Sequence, residues 1–399
     1  MNELEAFVIQ NQIEFEKEFD CSPSLTASAP GRINIIGEHT DYNGGLSLAV
    51  GINKWVLVSL RLREDALVVV KSGNYNSKIE FQVGEVIGEE EKWHRIVSGI
   101  TAILKNNYGI EKGYEAYVWG NIPLGSGVSS SAAIEVAFLN GLRSLYSLSF
   151  SDTELVLYSQ QTEHVYMGVK SGLLDQSTSQ FSKEDTLLLL DFKTTTHQYI
   201  PAAIAGYQWV LVNTMVKREL ASSSYSDRVN ETQQAFSAIQ KEYPEVTHFR
   251  ALEEKHLEVL HDQLLKNKMA HYINENGRVL DFIGAIKKCN FKLAGSILNA
   301  SHISLKELYE VSCDELDYLA EKSLLIDGCV GSRMMGGGFG GCTISLVKEN
   351  ELDKFCQKIS VLYQLAFNIK PEINCYTNTN GASVVLHSLD MSKLYDSTI

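Results

Sequence analysis

The chain has 399 residues, 44% hydrophobic and 21% charged, with only 6 prolines; that length predicts two domains, and the composition argues against long disordered linkers. A formal charge of −14 disfavours nucleic acid or an anionic membrane surface as a partner, and no apolar stretch is long enough to span a bilayer. Seven scattered cysteines without a C-x-x-C pair fit reduced thiols, not a disulfide framework or zinc site. With an acidic N-terminus that lacks a signal-peptide core, the expectation is a cytoplasmic enzyme.

In chain order, residues 1–20 predict an amphipathic helix carrying Leu4, Phe7, Val8, Phe15 and Phe19 on one face, interrupted by Asn11. Strand-like runs follow at 55–62, 66–71 and 78–83, then a helix over 94–107 and an alternating strand over 113–120. A buried helix is predicted at 132–145 and another helix at 152–165, and strands at 186–192 and 207–213 with a domain junction near 195–206. The second half is mostly helical, at 229–242, 251–299 and 313–325, and closes with strands at 343–347 and 382–386. The class is mixed α and β (α+β), with domains at 1–200 and 201–399.

Two glycine clusters carry the first functional signal. Gly336-Gly337-Gly338-Phe339-Gly340-Gly341 precedes a strand-like run, so its backbone is expected to approach something closely. Gly125-Ser126-Gly127-Val128-Ser129-Ser130-Ser131 joins a strand to a helix, the arrangement that presents free amides and a positive helix end to phosphate. Neither a G-x-x-x-x-G-K-[ST] loop nor G-x-G-x-x-G is present there, and a plain serine-capped helix would give the same pattern. A third segment, Arg32-Ile33-Asn34-Ile35-Ile36-Gly37-Glu38-His39-Thr40-Asp41-Tyr42, crowds donors and acceptors suited to neighbouring hydroxyls, as a sugar demands. One histidine and two carboxylates at this spacing are poor evidence for a metal site.

The segment from Gly31 to Asn43 resembles the signature stretch of galactokinases, within the GHMP small-molecule kinase superfamily. The 120–133 stretch resembles that superfamily's ATP-phosphate loop, and the 331–342 stretch its C-terminal motif. Lys217-Arg218-Glu219-Leu220, with Ser224-Tyr225 and Arg228, is also galactokinase-like. The resemblance implies a two-domain GHMP kinase fold, with an N-terminal domain like domain 2 of a small-subunit ribosomal protein and a C-terminal ferredoxin-like α/β sandwich. It implies phosphorylation of the anomeric hydroxyl of α-D-galactose by ATP, with Mg²⁺; a monomer is the expectation for the assembly.

Residue by residue, the resemblance makes Asp175 the base and Arg32 the transition-state cation. Glu38, His39, Thr40, Asp41, Gly172 and Tyr225 would hold the sugar. Gly125, Ser126, Gly127, Val128, Ser129, Ser130 and Ser131 would hold the ATP phosphates, with Ser72 and Trp93 at the adenine and ribose. Ser131 and Glu163 would bind Mg²⁺, and His164 stays structural. Ser171, Leu174 and Val128 depart from the commoner cysteine, methionine and leucine of the family, which bears on fine specificity more than on chemistry. An N-acetylgalactosamine kinase and a ligand-sensing protein on the same scaffold are the rival readings; the complete Ser129-Ser130-Ser131-Ala132-Ala133 run opposes the second.

Overall fold

A computed structural model describes residues 1–88, 91–123, 126–201, 204, 206–216 and 221–387, apart from the side chains of 221–224. The first half runs α1 (Glu3–Phe19), β1 (Leu25–Ile36), β2 (Leu46–Leu62), β3 (Leu67–Ser72), β4 (Ser77–Gln82), α2 (Lys92–Tyr108) and β5 (Tyr114–Gly120). It continues with α3 (Ser130–Leu145), α4 (Asp152–Tyr166), α5 (Leu174–Phe181), β6 (Thr186–Asp191) and β7 (Thr196–Pro201). The second half holds β8 (Tyr207–Asn213), α6 (Ala221–Glu242), α7 (Gln263–Lys287), α8 (Phe291–Glu307), α9 (Asp314–Ser323), β9 (Cys329–Met335) and β10 (Cys342–Lys348). The last elements are α10 (Leu352–Phe367), β11 (Glu372–Tyr376) and β12 (Ser383–Leu386).

Among the described residues the strands form two sheets. The larger runs β12-β1-β2-β5-β3-β4, with β6 beside β2 and β7 beside β6; the smaller runs β11-β8-β10-β9. β12 belongs to the second half of the sequence but pairs with β1, Leu25 opposite Leu386. The chain therefore returns to the first sheet at its end. One apolar core joins both halves, running from Leu25 and Val58 through Phe138 to Phe282, Leu298 and Ile344.

Several expectations shift. Strand β7, Thr196–Pro201, takes the first part of the segment read as a junction. The long helical stretch 251–299 is broken into a 3-10 turn at Glu254–Val259, α7 and the start of α8, where Asn290 caps α8 by accepting from Leu293 N. Asn11, which interrupts the apolar face of α1, is buried with it: its amide donates to Ser59 Oγ at 2.8 Å and to the Tyr117 carbonyl at 3.3 Å. A buried amide is tolerated when it is bonded in this way.

Two irregularities position the site. In the pairing of β1 with β2 the register shifts between Pro30 and Arg32, and a bulge of this kind re-aims the side chain that follows. A Cβ at Gly31 would lie 2.9 Å from the Val128 carbonyl, and Arg32 N donates to that same carbonyl at 3.1 Å. Glycine at 31 thus lets the loop before α3 lie against β1.

Candidate active site

A cleft of about 570 Å³ is lined by Arg32, Glu38, His39, Asp41, Gly127, Ser129, Ser130, Ser131, Glu163, Gly172, Asp175, Tyr225, Gly336 and Gly337, together with Lys92. Residues more than 300 positions apart thus converge on one concave, polar site of small-molecule size.

Asp175 occupies the first turn of α5, two residues after the cap position Leu173; it is inside the helix and does not cap it. Its Oδ1 accepts from Arg32 Nε at 2.6 Å, and Arg32 Nη2 lies 2.6 Å from the same oxygen. Oδ2 accepts a short hydrogen bond from the Ser129 hydroxyl. Arg32 also donates from Nη1 to the Gly127 carbonyl at 2.7 Å, so one buried guanidinium binds both the carboxylate and the glycine–serine loop. Ser129 is the residue before α3, at φ 59°, and it makes no side-chain cap. The sequence allowed a serine-capped helix here; the hydroxyl turns to Asp175 instead.

Elsewhere in that loop, Val128 is core, and Ser126 is buried with its hydroxyl on the Pro123 carbonyl at 2.8 Å. Gly127, Ser129, Ser130 and Ser131 face the cleft. Gly125 and Lys217-Arg218-Glu219-Leu220 lie outside the described residues.

Glu38 is 3% exposed, and its oxygens are already engaged. Oε1 accepts from Gly336 N at 2.6 Å and from Arg333 Nη2 at 3.2 Å; Oε2 accepts from Asn34 Nδ2 at 2.8 Å. It ties the signature loop to the second glycine cluster. Thr40 is fully buried behind that loop and does not line the cleft; its hydroxyl lies 3.0 and 2.8 Å from the Gly37 and Leu46 carbonyls. Asp41 does reach the cleft. Burial, with the Asp175 charge adding to it, pushes its carboxyl up to about 7. Gly172 packs so tightly on it that a Cβ there would overlap Asp41 Oδ2.

The second glycine cluster divides its labour. A Cβ at Gly338 would overlap the Val311 carbonyl, and Phe339 N donates to that carbonyl at 2.7 Å. A Cβ at Gly336 would meet nothing within 4 Å, and one at Gly337 only the Tyr225 ring at 3.6 Å. The expected close approach is therefore made to the chain itself at Gly338, while Gly336 and Gly337 leave the cleft open.

Glu163 Oε2 accepts from the Ser171 hydroxyl and from Gln176 Nε2 at 2.7 Å. Burial and the neighbouring Asp175 raise its carboxyl to about 7. His164 bonds the Ser171 carbonyl at 2.9 Å, a structural contact. Ser72 and Trp93 stand apart in a smaller cavity of about 50 Å³, with Tyr75 and the shared residue Ser130. Tyr75 and Trp93 stack at 6.4 Å with planes 5° apart, and Val56, Val118, Ile122 and Ile134 complete an apolar slot.

What the sequence reading missed is the support from α7. His271 Nε2 lies 3.1 Å from the Glu38 carbonyl, and the Tyr272 hydroxyl donates to the Asn43 carbonyl at 3.0 Å. Glu275 Oε1 accepts from Gly37 N at 3.0 Å, and Asn276 Oδ1 from Leu46 N at 2.8 Å. Positions 271, 272, 275 and 276 share one helix face; four polar residues at that spacing, Glu275 and His271 fully buried, were the available signal.

Fold and cleft define a small-molecule kinase of the GHMP type. Residues 95–183 match the GHMP kinases N terminal domain and residues 282–363 the GHMP kinases C terminal domain. At 17% identity and a TM-score of 0.62, the Methanococcus jannaschii mevalonate kinase, covered to 98% by 89% of this chain, shares the fold. The galactokinase galactose-binding signature matches residues 13–62. A galactokinase of Clostridium beijerinckii is 36% identical over 92% of this chain and 96% of its own length. Lactococcus lactis galactokinase, crystallised with galactose, superposes with a TM-score of 0.90 at 33% identity, over 94% of this chain and 99% of that one. The chain belongs to the galactokinase family and is an ATP-dependent sugar kinase. Among the described residues no helix is long and apolar enough to cross a membrane.

Proposed function

We propose that the cleft transfers the γ-phosphoryl group of ATP to the anomeric hydroxyl of α-D-galactose, giving galactose 1-phosphate and ADP. The observation that carries the residue assignment is Asp175, held on one oxygen by Arg32 and on the other by Ser129 in the cleft that joins the signature loop to the glycine–serine loop. In a loose transition state the attacking hydroxyl needs orientation first and gives up its proton late. Asp175 does both: it accepts the hydrogen bond that aims the hydroxyl, then the proton. Arg32 pairs with that carboxylate and offsets charge on the moving phosphoryl group.

The sugar lies against His39, Asp41, Gly172 and Tyr225, with Glu38 bracing the loop above. The triphosphate lies along Gly127 and Ser129–Ser131, where helix α3 begins, and the base enters the slot beside Ser72, Tyr75 and Trp93. Ser131 and Glu163 would hold Mg²⁺. Both are hard oxygen donors, and among the described residues both hydrogen bonds to Glu163 fall on Oε2, which leaves Oε1 for a ligand. Bound there, the ion supplies charge neutralisation at the phosphates.

Asp175→Asn is the test. Turnover is expected to fall by roughly 10²–10⁴ while galactose binding stays measurable; an unchanged kcat removes Asp175 from the chemistry. In parallel, kcat/KM is measured for galactose, N-acetylgalactosamine, glucose and arabinose. A preference for another sugar above about tenfold overturns the substrate assignment.

A further inference from the structure

His39 is buried at φ 58° and packs among aromatic rings, 4.8 Å from Tyr309, 5.6 Å from Tyr225 and 6.0 Å from Tyr42 between centroids. Its Nδ1 lies 2.9 Å from the Tyr42 hydroxyl, which lies 2.7 Å from the Tyr309 hydroxyl. Tyr309 comes from the turn after α8 and is fully buried. Among the described residues no other group lies within hydrogen-bonding distance of its hydroxyl. Three heavy atoms therefore share two hydrogen bonds, and the chain ends at Tyr309.

Counting protons fixes the direction. If Tyr309 donates to Tyr42 and Tyr42 donates to Nδ1, every hydroxyl proton is bonded. If Nδ1–H donates to Tyr42 and Tyr42 to Tyr309, the Tyr309 proton is stranded in a dry environment, the costlier arrangement for a buried donor. The doubly protonated ring is out of play at neutral pH, because burial holds the His39 pKa down to about 3. Nε2 is buried and makes no well-formed hydrogen bond, although the Gly337 carbonyl acts on the ring. An unpartnered polar atom beside a cleft is where a ligand oxygen belongs.

We infer that Tyr42 is a positioning residue that fixes His39 as the Nε2–H tautomer, with Tyr309 orienting the Tyr42 proton, so that His39 meets the sugar as a hydrogen-bond donor and selects an oxygen that can accept. The relay crosses between the halves of the chain, Tyr42 from one and Tyr309 from the other. The inference rests on the reading of His39 as a sugar contact, and the experiment separates the two.

First, His39→Ala is compared with the parent on galactose. A KM raised about threefold to tenfold supports the contact; an unchanged KM removes it and the inference with it. Second, monodeoxygalactoses are compared with the matching deoxyfluoro sugars, since fluorine accepts but cannot donate. At one ring position the fluoro sugar is expected to bind at least about threefold tighter than the deoxy sugar. That gap should close in both His39→Ala and Tyr42→Phe. Third, long-range proton–nitrogen correlation of the His39 ring in the free enzyme is expected to show a neutral, Nε2-protonated imidazole. An Nδ1-protonated ring, or a fluoro–deoxy gap that survives unchanged in Tyr42→Phe while His39→Ala abolishes it, overturns the assignment of Tyr42.

Discussion

Replacing Glu275 with glutamine tests whether α7 holds the signature loop in place. Glu275 is fully buried. Burial alone would push its carboxyl up, but Arg278, then His271 and Arg333, outweigh it and hold the group at about 2, against an ordinary 4.5. His271 is itself pushed down to about 4 by burial, so it is neutral at pH 7 and contributes charge only in acid. The main partner is therefore Arg278, whose Nε donates to Oε2 at 2.6 Å. Holding the group that far below its ordinary value corresponds to at most a few kcal/mol of stability. That is a large share of the ~5–15 kcal/mol by which folded domains are stable. The folded pKa lies below the unfolded one, so this stability is complete above pH 4.5 and is lost as pH falls toward 2. Glu275→Gln should lower the apparent unfolding free energy in urea by about 2–3 kcal/mol at pH 7, and the gap should narrow steadily below pH 4.5. It should also raise the galactose KM, because Gly37 N loses its charged acceptor. A variant that unfolds at the parental urea concentration at pH 7 would refute the reasoning.

Four further expectations follow from the cleft. Gly172→Ala places a methyl group on Asp41 Oδ2, so kcat/KM for galactose should fall about 100-fold or more through a misplaced carboxylate; parental kinetics would mean that Asp41 moves freely. Asp41 is pushed up to about 7, chiefly by burial; if it holds the sugar as proposed, its anion accepts hydroxyls more strongly than its neutral form. The galactose KM should therefore climb below pH 7, by up to about tenfold per unit, with the slope absent in Asp41→Asn. The same shift makes ionised Asp41 a burden on the fold above pH 7 and none below pH 3.8, so Asp41→Asn should stabilise the protein more at pH 8 than at pH 4. Glu163→Gln should raise the Mg²⁺ concentration for half-maximal activity about tenfold or more; a metal titration matching the parent would end the assignment of Glu163.

Two kinds of element were legible in the sequence: α4 and β4 by a periodic contrast between buried and exposed positions, and α3 and β8 as apolar runs buried along most of their length. Strand β1 carries neither mark. All twelve of its residues are buried, covered by α3 and α5 and by contacts from α1, α7 and β9, so no alternation marks it, and Pro30 and Gly31 argue against a strand. Strand β12 was read as a strand, but nothing local reveals that it pairs with β1, more than 350 positions away.

The candidate site shows a matching split between groups that face a ligand and groups that hold them. Most of the cleft was legible as motif: Arg32, Asp41, Ser129–Ser131, Glu163, Gly172, Asp175 and Tyr225 all line it. Glu38 lines it as well while tying the signature loop to the second glycine cluster; Thr40, Ser126 and Val128 belong to the same motifs, yet their side chains brace the loops or fill the core. The positions that fix the cleft's shape were invisible as chemistry. Glu275, His271, Tyr272, Asn276 and Arg333 sit in helices or strands, and Tyr309 in the turn after α8, where polar residues normally read as solvated surface. Arg333 is fully buried and donates to the Ile35, Asn34 and Met334 carbonyls as well as to Glu38. It joins the strand before the glycine cluster to the strand before the signature loop. A shift of either half would leave that guanidinium and the Glu38 carboxylate unpaired inside the protein, a penalty of several kcal/mol. The two glycine-bearing loops are thus held in register by a buried ion pair, and the cleft between them owes its form to residues that need touch neither sugar nor nucleotide.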